Sequence, residues 1–345
     1  MKAKGYFLVL MALAALQVSF AREGYVRPAK IVMLWDYIGK ADDNNRSEKR
    51  IVHEGLDVIL PTWFSISSGG GNNNVSSLAD REYVRWAHNN GIKVWAVFEN
   101  RSLDGITYWA LVNAEGRRSI ITQIAFYARE YELDGINIDF EAMSAETGKL
   151  FEKFIAELYE KLKPLGITLS VDIPFPIEEI HRVYDINLIV QNCDYAVMMA
   201  YDQHYGSRSM AGPTAAIDWV KKGIEDTLSY IQGSRVILGI PFFTRVWTER
   251  REGGEIRISS ELRGMKEAYD LFAMKTRLLE RESATEQIYS EYDDGAALHK
   301  VWLEDEHSIS LKLDAVNDYD LAGISAWRRG WEGEEIWDLI NAYFE

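Results

Sequence analysis

Residues Leu133 to Glu141 read L-D-G-I-N-I-D-F-E and carry, besides Asp134, two carboxylates, Asp139 and Glu141, with one apolar residue between them. In an extended strand alternate side chains face opposite ways, so Gly135, Asn137, Asp139 and Glu141 share one face while Ile136, Ile138 and Phe140 share the other. The spacing predicts two carboxyls about 6–7 Å apart along the strand. At that separation the ionised form of one raises the proton affinity of the other. A carboxylic acid that keeps its proton near neutral pH can serve as a general acid. An edge strand with two solvated charges would alternate in the same way. The two readings part on whether polar residues of other strands converge on the same place.

Short apolar or β-branched runs recur along the chain near Lys30 to Trp35, Asp57 to Trp63, Ile92 to Phe98, Leu133 to Glu141, Ile167 to Ile173, Asp194 to Ala200, Arg235 to Pro241 and Leu321 to Trp327. Between them, Leu78 to His88, Ser119 to Tyr131, Ala145 to Leu162 and Ile217 to Ile231 place apolar residues at three- and four-residue steps, as amphipathic helices do. Alternating strand and helix implies parallel strands joined by right-handed crossovers, and eight such units close into an α/β fold of the (β/α)8 TIM barrel type. The competing doubly wound sheet needs a glycine-rich phosphate turn with a spacing that Ser68-Gly-Gly-Gly-Asn72 lacks, so that run is expected to be a loop. Barrel enzymes place their chemistry at the carboxyl ends of the strands. Here those ends carry Trp35-Asp36, Trp63, Glu99-Asn100, Asp139 with Glu141, Asp172, Tyr201-Asp202, Arg245 and Trp327.

The stretch from Arg245 to Asp320, between the seventh and eighth strands, is roughly twice what one crossover helix needs. A small α+β insertion over residues 248–306 is therefore expected, helical from Leu262 to Arg281 and then two strands from Gln287 to Glu304 around the turn Asp293-Asp294-Gly295. Such an insertion would wall one side of the cleft. The acidic run Glu304-Asp305-Glu306 is expected to be a solvated face or a helix start capped near Ser308.

Lys2 and Lys4, the apolar run from Tyr6 to Phe20 and the small residues Ser19 and Ala21 before Arg22 form the pattern of a secretory signal peptide at residues 1–21, too short to span a membrane comfortably. The catalytic barrel is then expected over residues 22–345, in a secreted or cell-wall-associated protein with no stable membrane insertion. A net charge of −15, more negative still without the two lysines, disfavours nucleic acid as a partner. Cys193 is the only cysteine, so an exported chain has no intramolecular disulfide and depends on its core. The six histidines form no metal-binding motif, so neither metal nor other cofactor is expected. Asn45, Asn74 and Asn100 stand in N-x-S sequons, which matter only in a eukaryotic secretory pathway.

On these residues the chain resembles glycoside hydrolase family 18. Asp134 to Glu141 is similar to that family's D-G-x-D-x-D-x-E signature on the fourth barrel strand, and Met198-Met-Ala-Tyr201-Asp202 to its M-x-Y-D on the sixth. Pro61-Thr-Trp-Phe64, Ala211-Gly-Pro213, Leu238 to Trp247 and Gly323 to Trp327 extend the likeness, nearest to the bacterial spore-wall and cortical-fragment-lytic N-acetylglucosaminidases. Two positions depart from the pattern. Asn137 replaces the middle aspartate, so a buried acid pair becomes an amide beside Asp139, and Phe243 stands where relatives often have Tyr. With fewer than ten residues between the expected cleavage site and the first strand, the LysM repeats common in the spore-wall branch are not expected here.

The resemblance implies substrate-assisted hydrolysis. Glu141 would protonate the glycosidic oxygen while the sugar's own 2-acetamido carbonyl attacks the anomeric carbon. Asp139 would accept the acetamide N–H, Tyr201 would donate to its carbonyl, and Glu141 would return as base for water, with net retention. Trp327, Trp35 and Trp63 are expected to bind sugar faces, Asn137 to orient Asp139, and Asp202 and Arg245 to shape the subsites; Asp134, on the opposite strand face, is expected to be structural. The implied partner is an N-acetylated glycan, peptidoglycan or a chitin-type oligosaccharide, acted on by a monomer. A sugar-binding lectin of the same fold is the rival, weakened because such proteins usually lack the acid that Glu141 supplies.

Overall fold

The computed structural model describes residues 29–38, 51–67, 74–176, 182–206, 210–276 and 280–344. The expected leader at residues 1–21 and the glycine-rich run at 68–72 lie outside them. Eight parallel strands, β1 (Ile31–Asp36), β2 (Val58–Ser67), β4 (Lys93–Glu99), β5 (Gly135–Asp139), β6 (Thr168–Ile173), β7 (Tyr195–Met199), β8 (Val236–Pro241) and β14 (Gly323–Trp327), form a closed barrel, with β1 pairing both β2 and β14. All eight are the strands expected from the sequence. A short strand β3 (Asn74–Ser77) adds antiparallel to β2.

Both faces of each barrel strand are covered, which is why β1, β7 and β8 read as nearly unbroken apolar runs. One face of β5 sends Ile136 and Ile138 into the outer layer with Phe151, Phe154 and Ile155 of α4 (Ala145–Leu162). The opposite faces fill the barrel with Met33, Trp35, Val58, Leu60, Trp95, Val97, Val197 and Ile237. At the amino end of the barrel one device recurs. The carboxylates of Asp57, Asp134 and Asp194, each leading into a strand, accept the backbone N–H of Val32, Val94 and Leu169 on the preceding barrel strand at 2.9, 2.8 and 2.8 Å. Amides that would otherwise be unpaired are satisfied there, and Asp134, also bonded by His88 at 2.9 Å, is structural as expected.

The outer helices are α1 (Arg81–Asn89), α2 (Asp104–Leu111), α3 (Ala114–Glu130), α4, α5 (Ile186–Gln191), α6 (Ile217–Leu228), α8 (Glu306–Asp318) and α9 (Ile336–Phe344). Their starts follow side-chain caps more than apolar spacing. Asp80 caps α1 and Asn113 caps α3, so α1 begins later, and α3 a full turn earlier, than the hydrophobic pattern predicts. Ser144 caps α4, whose bounds match the expectation.

Between β8 and β14 stands a second, antiparallel sheet of β9 (Phe243–Glu252), β10 (Glu255–Gly264), β11 (Glu280–Glu282), β12 (Gln287–Asp293) and β13 (Leu298–Leu303), ordered β10-β9-β13-β12-β11 and packed on α7 (Met265–Lys275). The β12–β13 hairpin turns at Asp294-Gly295 as expected, with Gly295 at φ 84°. The β9–β10 hairpin was not anticipated. Its turn residues Gly253 and Gly254, at φ 61° and 90°, occupy the left-handed region that a tight hairpin needs. Helix α7 is shorter than the expected Leu262–Arg281, because β10 takes its first residues.

The acidic run divides rather than lying in solvent. Asp305 caps α8 in a capping box with Ser308, whereas Glu304 is fully buried and bonded by Lys312 Nζ at 2.9 Å, Ser308 Oγ at 2.7 Å and Gln287 Nε2 at 2.8 Å. Burial drives the Glu304 carboxyl up, and the Lys312 ammonium pulls it back. Lys312→Met should cost about 3–5 kcal/mol, because a buried carboxylate loses its partner. Urea denaturation checks this, and adding Glu304→Gln should recover much of the loss.

Candidate active site

Asp139 reaches the barrel mouth because β5 alternates as the sequence requires, with Gly135 and Asn137 below it on the inner face. Gly135 has no substitute, since a Cβ there would lie 2.6 Å from the Trp95 indole in the barrel floor. Parallel pairing sets Asn137 beside Ser170 and Ile138 beside Val171 of β6. Continued by one step, this register brings Asp139 beside Asp172, whose carboxyl feels the Asp139 charge. Asn137 does not orient Asp139, contrary to expectation. Its amide accepts from Ser170 Oγ at 2.6 Å and donates to Asp172 Oδ2 at 2.8 Å, so it holds Asp172 instead.

Five acids and a tyrosine share this mouth. Burial raises the Asp139 carboxyl well above the usual carboxylate range, with the charges of Glu141 and Glu99 adding to the effect. Asp172, 3% exposed, is raised by burial and then by Asp139, against the Asn137 hydrogen bond. Glu141 is open to solvent at the cleft but ringed by protein. The loss of surrounding water raises its carboxyl, a hydrogen bond from Ser102 opposes the rise, and the charge of Asp202 adds to it. The Tyr201 hydroxyl is pushed up by burial and then by Asp172, Asp139, Glu141 and Asp202, which places it within electrostatic reach of them all. Neutral acid and charged base can thus coexist.

Asn100, which follows β4, fixes Glu141 through the backbone. Its Oδ1 accepts the Glu141 N–H at 3.0 Å, and its Nδ2 donates to the Glu141 carbonyl at 2.9 Å and to Thr107 Oγ1 at 3.0 Å. Ser102, in the left-handed conformation with Arg101, donates to Glu141 Oε2 at 3.3 Å. With its amide engaged inside the protein and only 2% exposed, Asn100 acts as a clamp and not as a glycan acceptor. Asn100→Ala should lower kcat about 10–100-fold with little change in KM, since a small displacement of a reacting group has effects of that size. Steady-state kinetics separates the two constants.

The aromatic residues divide. Trp327 is partly open and borders Tyr37, with Trp35 beneath it at 5.9 Å between ring centroids. Trp35, 1% exposed, props Trp327 and Tyr201 from inside the barrel and presents no face to a sugar. Trp63, 3% exposed, points outward and packs edge-on against Tyr83 of α1, because β2 bulges between Thr62 and Phe64. Neither can stack on a ligand as expected. Arg245 is bound to Asp202 at 2.8–2.9 Å, joining the insertion to the β7 end of the rim. Beside Glu141, a cavity of about 690 Å³ runs between β2, β3 and the end of β4, lined by Tyr37, Thr62, Ser65, Glu99, Arg101 and Ser102. Among the described residues no cluster of three His, Cys, Asp or Glu could hold a metal ion.

A family model, Glycosyl hydrolases family 18, matches residues 30–331. The chain is 26% identical over 301 residues to an uncharacterized glycosylase, YvbX, of Bacillus subtilis (strain 168), covering 84% of this chain and 85% of that one. It is 22% identical over 256 residues to the cortical fragment-lytic enzyme of the same organism, covering 71% and 58%. In structure it is similar to the Bacillus cereus spore cortex-lytic enzyme SleL, with a TM-score of 0.81 at 18% identity over 93% of this chain and 76% of that one.

Proposed function

The chain belongs to the glycosyl hydrolases of family 18 and is a glycosidase; on that footing we propose that it cleaves β-1,4 bonds of peptidoglycan of the spore-cortex kind, with retention, using the substrate's 2-acetamido group as nucleophile. The grouping of Glu141, Asp139 and Tyr201 at one mouth carries this reading. Glu141 is the acid that protonates the leaving oxygen and the base that later activates water. Asp139 takes the acetamide N–H and stabilises the positive charge of the oxazolinium-like intermediate. Tyr201 holds the acetamide carbonyl in line, and Trp327 forms the floor of that subsite. Arg245 and Asp202, locked together, shape the rim beside it.

The choice of wall polymer over chitin follows the likeness to a cortical fragment-lytic enzyme. The leader-like residues 1–21 support export to where such a polymer lies, and we take the chain to act there as a monomer. The test is to incubate the purified protein with spore cortex, vegetative peptidoglycan and chitin oligomers and to identify the new reducing ends by mass spectrometry. N-acetylglucosamine ends released from cortex are expected. Cleavage of chitin oligomers alone would transfer the proposal to chitin, and binding without any new reducing end would favour a lectin.

A further inference from the structure

We infer that Asp172 is a positioning residue that stores a proton for Asp139: the two carboxyls, neighbours across β5 and β6, hold one proton between their Oδ1 atoms at rest, and it resides wholly on Asp172 when Asp139 meets substrate. The inference rests on the proposed role of Asp139 and deepens it. Both Oδ1 atoms are shut off from solvent and have no hydrogen-bond partner among the described residues, a costly state for two carboxylates and a satisfied one for a carboxyl–carboxylate pair. The register from Asn137 and Ser170 through Ile138 and Val171 brings the two side chains together on the inner barrel face. The other oxygen of Asp172 is already fixed by Asn137, which is itself anchored by Ser170, so its Oδ1 is the atom left to carry a proton.

The groups facing the pair favour a single shared proton. Glu99 from β4, Glu141 beyond β5, Tyr184 ahead of α5, and Tyr201 and Asp202 after β7 are acids or neutral hydroxyls, and the nearby Arg245 is bound to Asp202. Two adjacent anions inside such a ring would repel strongly, whereas one proton leaves a single charge. Asn137 stands where the family signature has an aspartate. The second acid is therefore displaced from a position along the strand to one across it, with the amide as the link. On substrate binding the proton moves from the shared position to Asp172 Oδ1, and Asp139 becomes the full anion that the acetamide N–H and the developing cation require. On product release the proton returns, so none is gained or lost.

The test is a carbon-13 NMR titration of the resting protein labelled at aspartate carboxyls, in wild type, Asp139→Asn and Asp172→Asn. In wild type, one ionisation of the pair should lie at least about two pH units above the ordinary aspartate range. It should be missing from both variants, the carboxyl remaining in Asp172→Asn titrating at least about one unit lower. The inference is overturned if neither carboxyl of the pair in wild type titrates at least about two pH units above the ordinary aspartate range, or if the high ionisation survives in Asp172→Asn. Should a variant fail to fold, the wild-type titration decides alone. Because the signal is read without substrate, it stands apart from the functional reading, which would fail if the wild type cleaved no N-acetylated glycan.

Discussion

Glu141→Gln is expected to lower kcat on N-acetylated glycans by about 10²–10⁴-fold, the range for loss of a positioned general acid. The substitution keeps shape and polarity, and Asn100 holds the Glu141 backbone through bonds that the side chain does not share. The fold should therefore persist and KM should change little, as thermal unfolding and steady-state kinetics can verify. The pH profile supplies a second sign. Loss of surrounding water raises the Glu141 carboxyl and the charge of Asp202 raises it further, against the Ser102 hydrogen bond. The acid form thus persists above the ordinary glutamate range, and wild-type activity should fall as pH rises through that higher value. The alkaline limb should be absent from the residual activity of the variant. A variant turning over at near wild-type rate would remove Glu141 from the role of acid.

Asp139→Asn is expected to lower kcat about 10²–10³-fold, the scale for losing one preorganised partner of a charge that develops in the transition state. An asparagine can still meet the acetamide through its carbonyl, but it has no negative charge to offer the oxazolinium. Binding of neutral oligosaccharide should be nearly unchanged, so calorimetric affinity and turnover should separate. An equal loss in both would point to a merely shape-determining residue. Turnover equal to that of wild type would exclude the contact.

The barrel was legible because parallel strands buried on both faces must read as apolar runs, and β1, β7 and β8 do. The acids were legible because alternation along β5 leaves Asp139 no other face. Trp63 was misplaced because a bulge, which no residue type announces, shifts the alternation of β2 between Thr62 and Phe64. Trp35 does point inward, but too deep to reach a sugar. Asp172 lay in plain view in T-L-S-V-D-I, where Ser170 and Asp172 fall on one face of a buried strand. Its importance depends on lying next to Asp139, which is a matter of register between strands and not of spacing within one. Asn100 was read as a sequon because its two bonds to Glu141 span 41 residues. The β9–β10 hairpin had a local signal in Gly253-Gly254 between alternating residues, obscured by the charge of its strands. Glu304 was taken with its acidic neighbours because its partner Lys312 is visible only once α8 is in place.

The participation of the substrate's own acetamide is tested most directly by hydrolysis rates for a series of aryl chito-oligosaccharides in which the acetyl group next to the scissile bond carries zero, one, two or three fluorines. Fluorine withdraws electrons from the attacking carbonyl oxygen while leaving the glycosidic bond and the enzyme's acids as they are. A steep fall in kcat/KM with each added fluorine is expected. Rates independent of fluorine would contradict a nucleophile carried by the sugar and would return that role to a protein side chain or to water.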